Sequence, residues 1–193
     1  MAMLLVVSGM LSLPTAAETG SRINAFYSAH RQLIVIQQVI GALTVIPFMA
    51  FVLGLDRSAR TAGRDARWLI PSGVLVVITE LATNALPAVL ALTPAPSDAS
   101  AHALTLAADI ADAALFAAIA LFALATSLSG PLWLRALGVA VAILTAVRAV
   151  GSPLGMTALD FAAPLAFIVY VVVLSGRVLA ARDSVSRSTG SLS

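Results

Sequence analysis

Two aspartates, Asp109 and Asp112, stand three residues apart in "LAADIADAALF" (106–116), and Glu80 stands in an equally apolar run, "LVVITELATNAL" (75–86). Carboxyl groups in such surroundings suit proton transfer. A neutral acid in a low-dielectric pocket can donate a proton to a substrate or carry one in transport. A charged side chain at the centre of a bilayer costs at least ~2.5–3.5 kcal/mol on insertion scales. Three acids against one nearby arginine, Arg148, cannot all be paired, so at least one of Glu80, Asp109 and Asp112 is expected to be protonated near neutral pH.

Residues three or four apart share a helix face. That groups Asp109 with Asp112 and Phe116, and Glu80 with Thr83, Asn84 and Pro87. Asp112 or Asp109 is the expected general acid, with Glu80 taking a proton back or balancing the charge. Asn84, Gln37, Gln38 and Arg148 are the polar candidates for holding a substrate. Phe116, Phe161 and Tyr27 could turn π faces toward a developing cation. Plainer roles stand beside these. Arg148 could pair with Asp112 or Asp160 and pin helices together, Gln37 and Gln38 could bond between helices, and Asp160 could be a helix N-terminal charge. His30 and His102 read as solvated loop residues outside any metal-ligand spacing, so neither a metal nor a cofactor is expected.

The elements that must position these groups follow from composition. The 193 residues are 60% hydrophobic and 10% charged, with a mean hydropathy of +1.02. Soluble domains carry about 25% charged residues, so the chain is read as an all-α, polytopic transmembrane bundle. Six apolar segments are expected, roughly 1–16, 32–55, 68–93, 103–128, 132–151 and 158–180, judged against the ~20 residues a spanning helix needs. If residues 1–16 are a cleaved signal the count is five, although no basic n-region precedes them. Residues 1–182 form one domain, and 183–193, "DSVSRSTGSLS", form a disordered cytoplasmic tail. Prolines 47, 71, 87 and 164 punctuate helices, and the Gly138/Ala142 spacing permits close packing.

At 1.5 Å per residue, Glu80 lies about 18 Å in from the Trp68 end, and Asp109 and Asp112 about 12–16 Å in from the opposite end. The carboxylates therefore meet in one half of the bilayer. Arginines orient the bundle. The loop "LDRSARTAGRDAR" (55–67), Arg135 and the tail hold eight, against Arg22, Arg31 and Arg148 on the other side. The expectation is a multi-pass protein of a bacterial plasma membrane with both termini cytoplasmic and "PAPSDASAH" (94–102) outside.

Composition also excludes chemistries. Without cysteine there is no thiolate nucleophile or disulfide, and with no lysine among eleven basic residues there is no Schiff base. No phosphate-binding loop is present, and no basic stripe interleaved with aromatics suggests nucleic acid.

The runs "FYSAHRQLIVIQQVIGAL", "FMAFVLGLDRSAR" and "DIADAALFAAIALFALATSLSGPLWLRALGVAVA" resemble small six-helix membrane proteins of actinobacteria. Those have a Leu-Pro-x-Trp-Leu turn before helix 5, where this chain reads Gly130-Pro131-Leu132-Trp133-Leu134. The resemblance implies a fold and no site residues. In size and in buried carboxylates the chain is also similar to integral-membrane terpene cyclases and sterol isomerases. Three functions are therefore carried forward. The first is an enzyme protonating a lipophilic, isoprenoid-like substrate. The second is a proton-coupled small-solute transporter or membrane-embedded substrate-binding subunit, working as a homodimer or with a partner subunit. The third is a structural membrane subunit.

Overall fold

The computed structural model describes residues 12–127, 131–151 and 159–190, with side chains as far as Arg177. It is an all-α bundle of six helical segments. They are α1 (Gly20–Leu43), α2 (Val45–Thr61), α3 (Leu69–Leu92), α4 (Asp98–Ser127), α5 (Leu132–Gly151) and α6 (Ala162–Gly190). Helices α1 and α2 run on as one 42-residue rod, so the described bundle has five rods. Four of them are long and apolar enough to cross a membrane, and Ala162–Arg177 is a shorter apolar helix. Exposed Ile36, Val39, Ile78, Ile110, Leu121, Ile143 and Val172 face outward along them. In water that surface would be unsustainable, and in lipid it is the expected exterior.

The expected segments 68–93, 103–128 and 132–151 hold to within five residues at both ends, and the other expectations are corrected. Residues 1–11 of the first segment lie outside the described residues, and residues 12–16 are not helical. The second segment begins at Gly20 rather than 32, because Ile23, Tyr27 and Ile34 form one apolar stripe that buries against Leu90, Ala91 and Ala101. His30 and His102 therefore lie in helices. His30 sits at a kink (φ −118°, ψ 15°) inside α1, its ring stacked on Phe26 at 4.6 Å. At the other end α6 continues to Gly190, into the stretch expected to be a disordered tail.

The first turns of α1 stand beyond the end of α3. Asn24 donates to the Pro96 carbonyl and the Asp98 carboxylate, and Arg31 donates to the Leu92 carbonyl. The helical hydrogen bonding lapses at Thr44, between α1 and α2, for a local reason, although the backbone there stays right-handed helical (φ −67°, ψ −18°). Pro47 has no N–H for the Leu43 carbonyl, and its ring crowds that carbonyl. Thr44 turns both its N–H (3.0 Å) and its hydroxyl (2.6 Å) onto the Gly41 carbonyl instead.

Helix α4 is the centre, packed against α1, α3 and α5. Small residues let it be so. Ala118, Ala120 and Ala123 are buried, and a Cβ at Gly138 of α5 would land on the Ser127 Cβ and the Tyr170 hydroxyl. That hydroxyl shares a hydrogen bond with Thr126 at 2.7 Å, tying α6 to α4. Helices α2 and α6, by contrast, scarcely touch.

Candidate functional site

The gap between α2 and α6 is an apolar cleft. One part of it, about 390 Å³, is lined by Pro47, Phe48, Phe51, Phe167, Ile168 and Val171 among others. An adjoining chamber of about 230 Å³ shares Thr44, Phe48, Phe167 and Ile168 with it and is lined by Glu80 and Asp112. The carbonyl that Pro47 leaves without a helical partner thus lies beside a cavity, where such a lapse is tolerated at membrane depth.

Three expected site residues, Glu80, Asp112 and Phe116, meet in this chamber. Glu80 is half-buried on α3, and Asn84 one turn on donates to its carboxylate Oε1 at 3.0 Å and to its main-chain carbonyl at 2.7 Å. Asn84 is itself held from behind, because a Cβ at Gly41 of α1 would overlap its Oδ1. Among the described residues no cation pairs with Glu80. Asp112 differs. Its Oδ2 lies 3.0 Å from Arg148 Nη2, while Arg148 Nε lies 2.9 Å from Asp160 Oδ1. One guanidinium therefore joins α4 and α5 to the residue that leads into α6. It also lies over the Phe116 ring, 4.9 Å from the centroid. The pinning role foreseen for Arg148 is what the geometry has, and it takes both partners at once.

Asp109 does not line the chamber. Its Oδ2 accepts a 2.8 Å hydrogen bond from the Ala16 main-chain N–H, so this carboxylate anchors the segment that precedes α1. Tyr27 is buried with Ile23 and Leu90. Gln38 is buried in mid-helix α1 and Gln37 beside it is half-buried. Neither is in the first turns of its helix, because α1 starts earlier than expected. Phe161 is 70% exposed and stands apart from the lining of the chamber. Of the three aromatics foreseen, Phe116 alone lines it.

Phe48 and Phe167 take the other two places. Their ring centroids are 6.1 Å apart, and both pack on Phe122. Thr44, Gly41, Phe48, Pro164 and Phe167 were all missed by reading charge alone. The usable signal was Pro47 in an otherwise unbroken apolar run, since a proline there frees a carbonyl that must face protein or a cavity. No group of three or more His, Asp or Glu among the described residues could hold a metal ion.

The chamber offers a carboxyl without a counter-ion, a carboxylate with one, three phenyl rings and an opening along the bundle's flank. Such a set can give a proton to an apolar molecule and take it back with little water present. No family model, curated protein or solved structure matches this chain.

Proposed function

We propose that the protein is an integral membrane enzyme that protonates a lipophilic, isoprenoid-like substrate and so cyclises or isomerises it. One observation carries the reading: the apolar cleft between α2 and α6 adjoins a chamber lined by Glu80 and Asp112. A hydrocarbon substrate would reach the acids sideways from the lipid. Glu80, held by Asn84 and without a cation, is the general acid. This revises the preference for Asp112 or Asp109, since Asp112 has a counter-ion in Arg148 and is the base that accepts the returning proton. Phe48, Phe116 and Phe167 would face the cationic intermediate. The proton added at one alkene carbon is lost from a neighbouring carbon to Asp112, so substrate and product are isomers, and Asp112 then returns it to Glu80 across the chamber that both line.

The same reading has the arginine-rich end in the cytoplasm of a bacterium, in keeping with the actinobacterial resemblance. Five described rods put Gly20 and Arg177 at opposite ends.

The test compares wild type with Glu80→Gln in nanodiscs fed a panel of isoprenoids, with extracts read by untargeted mass spectrometry. The expected result is a product isomeric with one added compound, lost in the variant. A wild-type extract with no such product from any compound would overturn the enzyme reading.

A second reading, a proton-coupled carrier, draws on Glu80 as an acid inside a membrane-spanning helix. Solute uptake against pH, with Glu80→Gln as the uncoupled control, separates the two.

A further inference from the structure

We propose that the arginine-rich end of the bundle carries a separate lipid site, in which Arg64, Arg67 and Arg135 hold the phosphate headgroup of an anionic lipid and a groove between α3 and α4 holds its hydrocarbon chain. The site shares no residue with the carboxylate chamber and does not depend on its function.

Two hollows make the site. The first, about 380 Å³, is lined by the three arginines, Asp65, Trp68 and Ala125 among others. The second, about 330 Å³, runs from Trp68 and Ala125 along Pro71, Leu75, Leu121 and Leu124. Trp68 and Ala125 belong to both, so the charged hollow opens directly into the apolar one. Each lies within the roughly 300–1,000 Å³ of small-molecule sites. A soluble anion would need the first alone, and a neutral lipid tail the second alone. A charged head continuous with a hydrocarbon chain uses both.

The chemistry of each part fits. Three arginines and one aspartate line the upper hollow. The Arg67–Asp65 pair is 3.3 Å apart with both side chains well exposed, so a phosphate can replace or share it, and guanidinium binds phosphate through paired N–H groups. In the groove, Leu75, Leu121 and Leu124 are exposed to the lipid side. The Ser72 hydroxyl is turned away onto the Trp68 carbonyl at 2.6 Å, which leaves the floor apolar.

Depth agrees as well. Both tryptophans of the chain lie at this end, Trp68 under Arg67 at 5.9 Å and Trp133 under Arg177 at 5.7 Å. Tryptophan collects at the headgroup level of a bilayer, so the arginine hollow sits where lipid phosphates are. Basic pockets between helices on the cytoplasmic side are the setting for anionic headgroups.

The test is native mass spectrometry of the full chain released from nanodiscs of phosphatidylcholine with phosphatidylglycerol. Wild type should retain phosphatidylglycerol over phosphatidylcholine. Arg64→Gln/Arg135→Gln should lose about thirtyfold in that preference, at roughly fivefold for each arginine near an anionic surface. Ala125→Trp, which fills the junction and leaves every charge in place, should weaken retention too, and Arg22→Gln at the far end should not. Should the double variant misfold, Arg64→Gln in the exposed loop and Ala125→Trp decide the matter. Equal retention of both lipids by wild type, or unchanged preference in well-folded Arg64→Gln and Ala125→Trp, would overturn the proposal. Displacement of the lipid by millimolar inorganic phosphate would identify free phosphate as the ligand and overturn the lipid assignment.

Discussion

Asn84 binds Glu80 twice, through its main-chain carbonyl at 2.7 Å and its carboxylate at 3.0 Å. The other end of the same amide lies against Gly41 on a neighbouring helix. The orientation of the proposed acid is thus set by how closely α1 approaches α3.

Gly41→Ala should displace Asn84 and cost about 1–3 kcal/mol, the usual penalty for overpacking a fitted contact. Adding Asn84→Ala should remove part of that penalty, because the two changes share one space. Unfolding by dodecyl sulfate titration of the four forms measures the coupling. Additive losses would mean that Gly41 and Asn84 do not press on one another.

Arg148→Met leaves two carboxylates, Asp112 and Asp160, without their shared cation. Arg148 is largely buried but Asp112 and Asp160 are 35% and 49% exposed, so the expected loss is that of leaving partly buried groups unsatisfied, about 1–3 kcal/mol. Asp112→Asn in the same chain should recover a good part of it. The same titration reads both, and a loss under about 1 kcal/mol would sink the view of Arg148 as the pin of this corner.

Tyr170→Phe removes the hydroxyl shared with Thr126. Thr126 keeps its bond to the Phe122 carbonyl at 2.9 Å, so no buried group is orphaned. The expected loss is small, about 0.5–1.5 kcal/mol. A larger loss would show that the phenol does more than tie α6 to α4.

The chain has no cysteine, so single introduced thiols report cleanly. Ile168→Cys, in the wall of the cleft, should react with a lipid-soluble maleimide in membranes and resist a membrane-impermeant one. In intact cells Ser97→Cys should react with the impermeant reagent, and Ala62→Cys should not until the cells are opened. Reversed labelling of the last two would invert the orientation drawn from the arginines.

Much of the fold was legible because lipid-spanning helices announce themselves by length and apolarity. The runs behind α3, α4 and α5 need no long-range information. The start of α1 does. Ser21, Arg22, Asn24 and Arg31 make it look like a loop, and it is helical because its other face covers Leu90 and Ala101. The site divides in the same way. Depth along a helix follows from residue number, so Glu80 and Asp112 were brought together correctly. Which partner each acid takes does not follow from depth: Asp109 was claimed by the Ala16 N–H, a contact 93 positions away along the chain. The cleft was illegible for a related reason, since it depends on two helices failing to pack.

The ion pair between Asp112 and Arg148 also has a consequence for biosynthesis. Asp112 leaves the ribosome 36 residues before its counter-ion, which at 5–20 residues per second is a delay of roughly 2–7 s. During that interval α4 would have to enter the lipid with its carboxylate uncompensated. The lower-energy course is for α4 to wait at the translocon until α5 emerges, and for the two helices to partition into the bilayer together as a hairpin.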